Sequence, residues 1–308
     1  MAIEIKRLAH GLGAQIRGID PTKPLDQDTI KAVRAAWLAH KAVVFPDMEM
    51  TPAQHVAFSR SFGELELHLL PSVRHQDHPE IMEVTNRIIN GKPAITSKTG
   101  REWHSDGAFT TCPPTGSLLH CRELPDVGGD TWFSNMVMAY DTLSPTMKRM
   151  IEPLRVVNNL QKSKQRTRDP LQTDDENRRL IPPVVQPMVR VHPETGLKAL
   201  YLSETITTQV FGMSVEESEG LLNYLFEHSV RAPFTYRHSW SKWDLVMWDN
   251  RSTMHLAPGD YDPSQVRRMF RTTLVGTPSG TVYEDELAAL AQAEAAAPAE
   301  SRSVAQAA

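Results

Sequence analysis

The chain has 308 residues, 40% of them hydrophobic and 23% charged, and carries a formal net charge of -4 at pH 7. This length can bury a substantial core, and the slightly acidic balance does not suit nucleic acid as a partner. The two cysteines indicate reduced thiols rather than a disulfide framework. We expect a cytoplasmic protein, because no apolar stretch approaches the roughly 18 residues of a membrane span and the N-terminus lacks the features of a signal peptide.

The N-terminal part alternates helical and strand patterns. Apolar residues recur with helical spacing over residues 26–40, and an apolar run at residues 42–45 predicts a short strand that Pro46 ends. Thr51 is a suitable N-cap for a second helix, which we expect to run through Phe62 and to end at the glycine that follows.

The rest of the chain predicts strands around one clear helix. Strands are predicted at residues 117–121 and 130–133, joined by a turn at two consecutive glycines. A helix is predicted over residues 214–230, since Ser214 and Glu217 form a capping box ahead of a leucine-rich stripe. Further short strands are predicted at residues 234–237, 245–248 and 269–275.

We expect a single domain over residues 1–280. It is followed over residues 281–308 by an alanine- and glutamate-rich tail, helical at first and disordered towards its end. Many strands with interspersed helices and no βαβ rhythm favour a mixed α and β fold with a closed or sandwiched antiparallel core. The polar and charged residues 159–184 fit either a solvated surface loop or a mobile lid over a site.

Two segments together offer two imidazoles and one carboxylate: WHSD at residues 103–106 and WDNRSTMH at residues 248–255. His104 and Asp106 lie two residues apart, so on an extended segment both side chains leave the same face, and His255 is the best candidate for a third ligand. Such a set is typical of a mononuclear non-haem Fe(II) centre, which keeps other positions open for oxygen and substrate. The alternative for His104 alone is a hydrogen-bonded, half-buried histidine.

The last predicted strand, in the sequence VRRMFRTTLVG, carries two arginines on one face. With a strand period of two, Arg267 and Arg271 share a face and Arg268 points the other way. Buried arginines are costly unless anions meet them, and a guanidinium binds a carboxylate through two hydrogen bonds. This face therefore suits a dicarboxylate cosubstrate or an anionic substrate. The alternative is a solvated edge strand, although Met269 and Val275 on the same face argue for partial burial.

With these segments the chain resembles the taurine/2,4-dichlorophenoxyacetate dioxygenases, which depend on Fe(II) and 2-oxoglutarate. The resemblance extends from about residue 3 to about residue 278, and the shared order of many segments makes it specific. It implies a double-stranded β-helix, or jelly-roll, core with helices packed outside. The remaining segments that carry it are GLGAQI at residues 11–16, GID at 18–20, AVVFP at 42–46, SFGEL at 61–65, GGDT at 128–131 and VHPETG at 191–196.

The resemblance also implies roles for individual residues. His104, Asp106 and His255 match the iron ligands of the family. Thr131 matches a threonine that hydrogen-bonds the distal carboxylate of 2-oxoglutarate, and Arg267 matches the arginine that pairs with that carboxylate. Asp106 further separates the chain from related halogenases, which have a small residue at this position.

Four other positions concern the cosubstrate and the substrate. Arg271 matches a second arginine near the cosubstrate and the acidic group of the substrate, and His68 matches a histidine that contacts the sulfonate in taurine-type enzymes. Ile206 occupies a position that is aromatic in the taurine enzyme, and Gly100 occupies one that is asparagine there. These two departures predict that taurine is a poor substrate and that a larger sulfonate or carboxylate is a better one.

The expected function is therefore that of an oxidoreductase, a dioxygenase that uses Fe(II), 2-oxoglutarate and O2. It would hydroxylate a small organic anion, such as a sulfonate, a sulfate ester, or an aryloxy- or other carboxylate, and release succinate and CO2. Two other classes stay open. A zinc-dependent hydrolase could use the same His/Asp/His site, although it leaves Thr131 and the arginines unexplained, and a non-catalytic small-anion-binding protein could share the scaffold. Relatives are often homodimers or homotetramers, and the sequence does not choose between these states.

Overall fold

The computed structural model describes residues 3–89, 92–94, 100–160 and 181–296. No helix within these ranges has the length and apolar character needed to cross a membrane. The helices there are α1 (Gln27–His40), α2 (Pro52–Arg60), α3 (Met136–Asp141), α4 (Pro145–Ile151), α5 (Val215–Ser229) and α6 (Tyr283–Ala296). The strands there are β1 (Glu4–Arg7), β2 (Ala14–Arg17), β3 (Ala42–Phe45), β4 (Met82–Thr85), β5 (Ile88–Ile89), β6 (Lys92–Pro93), β7 (Gly116–Glu123), β8 (Thr131–Asn135), β9 (Arg155–Asn158), β10 (Val184–Pro187), β11 (Val189–Val191), β12 (Lys198–Leu200), β13 (Thr207–Val210), β14 (Thr235–His238), β15 (Leu245–Asp249), β16 (Thr253–Leu256), β17 (Arg268–Leu274) and β18 (Thr281–Val282).

The largest sheet has seven strands in the order β1-β2-β3-β15-β7-β17-β4. Adjacent strands in this sheet are antiparallel, except for β2 and β3, which run parallel to each other. The arginine strand β17 lies between β7 and β4, so the alternative of a solvated edge strand is wrong. Val275 does not share the burial expected for that face, because it follows the last paired residue, Leu274, and is 44% exposed.

Helices and a second sheet cover the two faces of the seven-stranded sheet. On one face, Trp37 of α1 and Phe58 of α2 share a buried cluster with Leu118 of β7. On the other face, Phe133 of the three-stranded sheet β14-β8-β16 shares a buried cluster with Met269 of β17. This mixed α and β fold, with a sandwiched antiparallel core and helices outside, is the expected jelly-roll arrangement.

Two helices start at the caps that the sequence predicts, since Thr51 and Ser214 each close a capping box at the start of α2 and α5. Helix α1 is capped by Asp26, which the helical spacing places at the start of that helix without marking it as a cap. Each such cap contributes about 1 kcal/mol to helix stability. Helix α2 ends at Arg60, two residues earlier than expected, because the amide of Ser61 bonds to a carbonyl three residues back and tightens the last turn.

The chain crosses between the two facing sheets at Gly128 and Gly129. Both glycines have left-handed backbone angles, with φ of 81° and 76°. The predicted strands on either side form β7 and β8, which belong to different sheets and do not pair with each other. This crossover brings Thr131, the first residue of β8, next to Arg267.

Helix α6 is the helical first part of the predicted tail. It packs against the sheet that contains β9 and β10, where Glu286 forms an ion pair with Arg155. Residues 297–308 of the tail lie outside the described residues. So do residues 161–180, which are most of the predicted lid, and the lid therefore stays a prediction.

Candidate metal centre and its surroundings

The three predicted metal ligands lie together. One ligand atom from each of His104, Asp106 and His255 falls within a group whose members are all within 4.8 Å of one another. Oδ1 of Asp106 is 3.9 Å from Nε2 of His104 and 3.9 Å from Nε2 of His255. The structure thus joins a segment before β7 to a strand about 150 residues later, which is the convergence that the motif spacing predicts.

The backbones of His104 and His255 are joined by two hydrogen bonds. The amide of His104 donates to the carbonyl of His255 at 3.1 Å, and the amide of His255 donates back at 2.8 Å. The ring centroids are 4.1 Å apart. The separation of the two imidazoles is therefore set by backbone pairing as well as by side-chain rotamers.

Both imidazoles are able to offer a lone pair. Nδ1 of His104 is 2.8 Å from the carbonyl oxygen of Glu102, which only accepts, so Nδ1 carries the hydrogen and Nε2 keeps its lone pair. Burial lowers the pKa of His255 to about 3, so this ring is neutral at pH 7. Nδ1 of His255 has no hydrogen-bond partner among the described residues.

Asp106 supplies the negative charge of the site. Burial alone would raise the pKa of its carboxyl, but Arg271, both histidines and a hydrogen bond from Ser117 together hold it well below the ordinary value. Oγ of Ser117 donates to Oδ2 at 2.7 Å, and Nη1 of Arg271 donates to Oδ1 at 2.8 Å. One ionised carboxylate and two imidazole nitrogens form a donor set that fits a divalent transition metal.

A chain of buried hydrogen bonds orients Asp106 through its Oδ2 atom, which accepts from Ser117. Nδ2 of Asn250 donates to Oγ of Ser117 at 3.1 Å, and Nε1 of Trp248 donates to Oδ1 of Asn250 at 2.9 Å. Ser105 donates to the carbonyl of Asn250 at 2.6 Å. The sequence did not indicate Ser117, because its contact depends on the register that places it opposite Trp248 in the β7–β15 pair.

A buried charge network supports the turn that carries Asn250. Arg251 donates from Nη2 to Asp249 at 2.6 Å and from Nη1 to Glu194 at 2.6 Å. Nε2 of His192 lies 2.9 Å from the same Asp249 carboxylate. The segment at residues 191–196 therefore supports the turn that follows β15 and not the metal ligands themselves.

Arg267 lines a small surface cleft together with Asn86 and Tyr261, and its guanidinium lies next to Thr131. Arg267 is 7% exposed, and burial lowers the pKa of its guanidinium. Nε donates to the carbonyl of Gly129 at 2.8 Å, and Nη2 lies 3.4 Å from Oγ1 of Thr131. Among the described residues its side chain thus bonds only to neutral oxygens, and a buried cation of this kind favours an anionic ligand.

The predicted facing of the arginine strand is confirmed. Arg267 and Arg271 both turn towards the site, whereas Arg268 turns away and pairs with Glu83 at 3.0 Å. A register irregularity against β7 lies at Arg268 and Met269, and it does not disturb this division.

His68 and Ile206, two predicted substrate-binding residues, have different surroundings. Nδ1 of the half-buried His68 accepts from the amide of Leu70 at 3.1 Å, so its neutral ring carries the hydrogen on Nε2. Burial and the nearby Arg271 lower the pKa of His68, which favours this neutral form. Ile206 is 3% exposed and packs in a cluster with Ala108, two residues after Asp106. Its role in the substrate pocket stays a prediction.

Gly100 and Glu66 are two further residues close to the metal ligands or to Arg271. Gly100 has φ of 77°, and a Cβ there would lie 3.3 Å from Cε1 of His104, so a side chain would press on the first histidine. Glu66 was not identified from the sequence. Its amide donates to the carbonyl of Thr273 at 2.8 Å, and burial raises the pKa of its carboxyl while Arg271 opposes that shift.

Comparison with known proteins agrees with this geometry. The sequence model of the family described as taurine catabolism dioxygenase TauD, TfdA family matches residues 4–273. The chain is 30% identical over 292 residues to the (S)-phenoxypropionate/alpha-ketoglutarate-dioxygenase of Sphingobium herbicidovorans, an alignment that covers 90% of this chain and 96% of that protein. It is 29% identical over 283 residues to the alpha-ketoglutarate-dependent sulfate ester dioxygenase of Pseudomonas putida, with 90% of each chain covered.

A solved structure extends the likeness to three dimensions. The crystal structure of AAD-2 in complex with Mn(II) and N-oxalylglycine matches with a TM-score of 0.78 and 34% sequence identity. The match covers 91% of this chain and 99% of that one.

Proposed function

Since the chain belongs to the TauD/TfdA family of dioxygenases, we propose that it is an Fe(II)- and 2-oxoglutarate-dependent dioxygenase with His104, Asp106 and His255 as its metal ligands. The reaction would hydroxylate a small organic anion and release succinate and CO2. The observation that carries this proposal is the buried Arg267, which bonds only to neutral oxygens among the described residues. The ligand cluster alone would also suit a zinc hydrolase, but zinc hydrolysis needs no dicarboxylate cosubstrate and so leaves the buried pair Arg267 and Thr131 unexplained.

Two residues of the chain would bind the cosubstrate. Arg267 and Thr131 would hold the distal carboxylate of 2-oxoglutarate, one through charge and the other through a hydroxyl hydrogen bond. Because both side chains are buried, water does not compete with these contacts, and the ion pair is stronger than it would be at the surface. When bound, Fe(II) would supply the activation of O2 that is coupled to decarboxylation of the cosubstrate.

The substrate would bind on the side of Arg271 and His68. Arg271 offers a positive charge, and Nε2–H of His68 offers a hydrogen bond, so both suit an acidic headgroup. Leu67, Leu69 and Leu70 flank His68 and are 46%, 60% and 42% exposed. These leucines favour an anion with an alkyl or aryl part, among the sulfonates, sulfate esters and aryloxy- or other carboxylates.

The proposal includes a cytoplasmic location and a homo-oligomeric assembly. Cys112 and Cys121 are both free thiols, which suits the reducing cytoplasm. A homodimer or homotetramer is proposed by analogy with relatives, and light scattering on the purified protein would decide between these states and a monomer.

The reaction is tested by measuring succinate from protein loaded with Fe(II) without oxygen and then given 2-oxoglutarate, O2 and a panel of anions. We expect succinate formation to require Fe(II) and 2-oxoglutarate together and to rise with the anions that bind. Taurine should have a lower kcat/KM than bulkier anions, because Ile206 stands where the taurine enzyme has a ring. Turnover with Zn(II) and no 2-oxoglutarate would instead favour the hydrolase, and anion binding without any turnover would favour the binding protein.

Alanine variants test the assignment of the three metal ligands. His104→Ala, Asp106→Ala and His255→Ala should each abolish Fe(II)-dependent turnover and weaken Mn(II) binding measured by calorimetry, because each removes a metal ligand. Full activity in any one of them would contradict the assignment. Three histidines outside the cluster serve as controls with milder expected effects, namely His120, His192 and His238.

A further inference from the structure

The hydroxyl of Thr131 lies between two hydrogen-bond donors. Nε1 of Trp240 lies 3.0 Å from Oγ1 of Thr131, and Nη2 of Arg267 lies 3.4 Å from the same oxygen. Indole and guanidinium nitrogens only donate. Thr131 is 2% exposed and Trp240 is 9% exposed, so solvent offers little competition for these bonds.

This arrangement fixes what the hydroxyl is able to do. A hydroxyl oxygen has two lone pairs and one hydrogen, and here each lone pair faces an N–H group. None of the hydrogen bonds among the described residues uses the hydrogen of Thr131. That hydrogen is therefore left for an acceptor that binds next to Thr131 and Arg267, and a group that brings only N–H donors would find no lone pair on this hydroxyl.

We propose that Trp240 is a positioning residue, which holds the Thr131 hydroxyl as a donor for the carboxylate of the cosubstrate. The inference rests on the proposed function, since it takes 2-oxoglutarate as the ligand next to Thr131 and Arg267. A carboxylate is an acceptor on both oxygens, so it accepts from Thr131 and from Arg267 together. Trp240 does not touch the ligand and acts only through Thr131.

The indole is itself held in place. Trp240 belongs to the buried cluster between the two facing sheets, together with Phe133 and Met269. The ring of His238 meets it edge to face with centroids 4.6 Å apart, and His238 lies 3.3 Å from the carboxylate of Asp244. A ring packed on these sides keeps its N–H directed at Thr131 without a further loss of entropy when the ligand binds.

The test removes the N–H and keeps the aromatic packing. Trp240→Phe, Thr131→Val and the double variant are compared for binding of 2-oxoglutarate and N-oxalylglycine to Mn(II)-loaded protein by calorimetry. We expect Kd to rise about three- to tenfold in Trp240→Phe, as one buried hydrogen bond is lost, and by a similar or larger factor in Thr131→Val. In the Thr131→Val background, the tryptophan substitution should have no further effect.

Trp132→Phe is the matched control, because this neighbour of Thr131 lies against Arg237 instead, with the guanidinium 5.5 Å from its ring. Its Kd should equal that of the unaltered protein. In steady-state assays Trp240→Phe should raise KM for 2-oxoglutarate and leave KM for the accepted anion unchanged.

Equal losses from Trp240→Phe in both backgrounds would show a packing role and overturn the inference, as would an unchanged Kd in the single variant. Failure of the unaltered protein to bind either ligand would overturn the proposed function itself. The two failures are therefore distinguishable.

Discussion

Nη1 of Arg271 donates a hydrogen bond at 2.8 Å to Oδ1 of Asp106, the carboxylate oxygen that faces both histidines. The guanidinium therefore contacts the same oxygen that a metal ion would bind. Two positive groups that share one carboxylate oxygen repel each other, so Arg271 should weaken metal binding while it attracts an anionic substrate.

This opposition predicts two effects of Arg271→Met. Mn(II) should bind at least about threefold more tightly, because a positive charge next to the metal has been removed. KM for the accepted anion should rise on the order of 30-fold, because a charged partner is lost. Calorimetry and succinate assays measure the two effects separately. Weaker Mn(II) binding in this variant would mean that Arg271 supports the metal site.

Arg267→Ala should raise Kd for 2-oxoglutarate strongly, since a buried carboxylate that loses its charged partner costs about 2–5 kcal/mol. Thr131→Val should cost about 1–2 kcal/mol, as one hydrogen bond is lost. The control is Arg268→Ala, because this arginine points away and pairs with Glu83. A larger effect from Arg268→Ala than from Arg267→Ala would contradict the assigned faces of β17.

Ser117→Ala should weaken Mn(II) binding by about tenfold, a common effect of removing a hydrogen bond that orients a metal ligand. The variant leaves Oδ2 of Asp106 without its donor, so only the bond from Arg271 to Oδ1 still orients the carboxylate. Ser134→Ala is the matched control, because Ser134 is also a buried strand serine but donates to the carbonyl of Ser229. Equal losses in both variants would indicate a general effect on stability.

His120 should make the protein less stable in mild acid. Burial lowers its pKa from 6.5 to about 4, although a hydrogen bond to the carbonyl of Met48 opposes this shift. As pH falls below 6.5 the unfolded state takes up the proton before the folded state does, so the free energy of unfolding decreases towards pH 4.

In His120→Gln this loss between pH 7 and pH 5 should be smaller by about 1–2 kcal/mol. Urea unfolding at the two pH values measures the difference. His10→Gln, at an exposed histidine, should keep the pH dependence of the unaltered protein. If His120→Gln kept it as well, protonation of His120 would not be the cause.

The sequence predicted those parts of the site that depend on local pattern. The spacing of His104 and Asp106, the capping box at Ser214 and the period-two facing of Arg267 and Arg271 are properties of short segments. The structure confirms each of these arrangements. His255 was the best candidate for the third ligand from the residues alone, and the family resemblance implied the same residue.

The contacts that the sequence did not predict depend on how strands and loops come together in the fold. Ser117 reaches Asp106, and Trp240 reaches Thr131, only because particular strands pair in a particular register. No periodicity in either segment encodes that register. The early end of α2 has a different cause, since one tightened turn at Ser61 decides it.

The ligand cluster also connects the two facing sheets. His255 lies on β16 of the three-stranded sheet, whereas Asp106 is tied through Ser117 to β7 of the seven-stranded sheet. An ion held by both would cross-link the sandwich, so its binding free energy would add to that of folding. We expect a chelator to lower Tm and to speed amide hydrogen exchange at His104 and His255. In a cell short of iron, degradation would then reduce the amount of the enzyme as well as its activity.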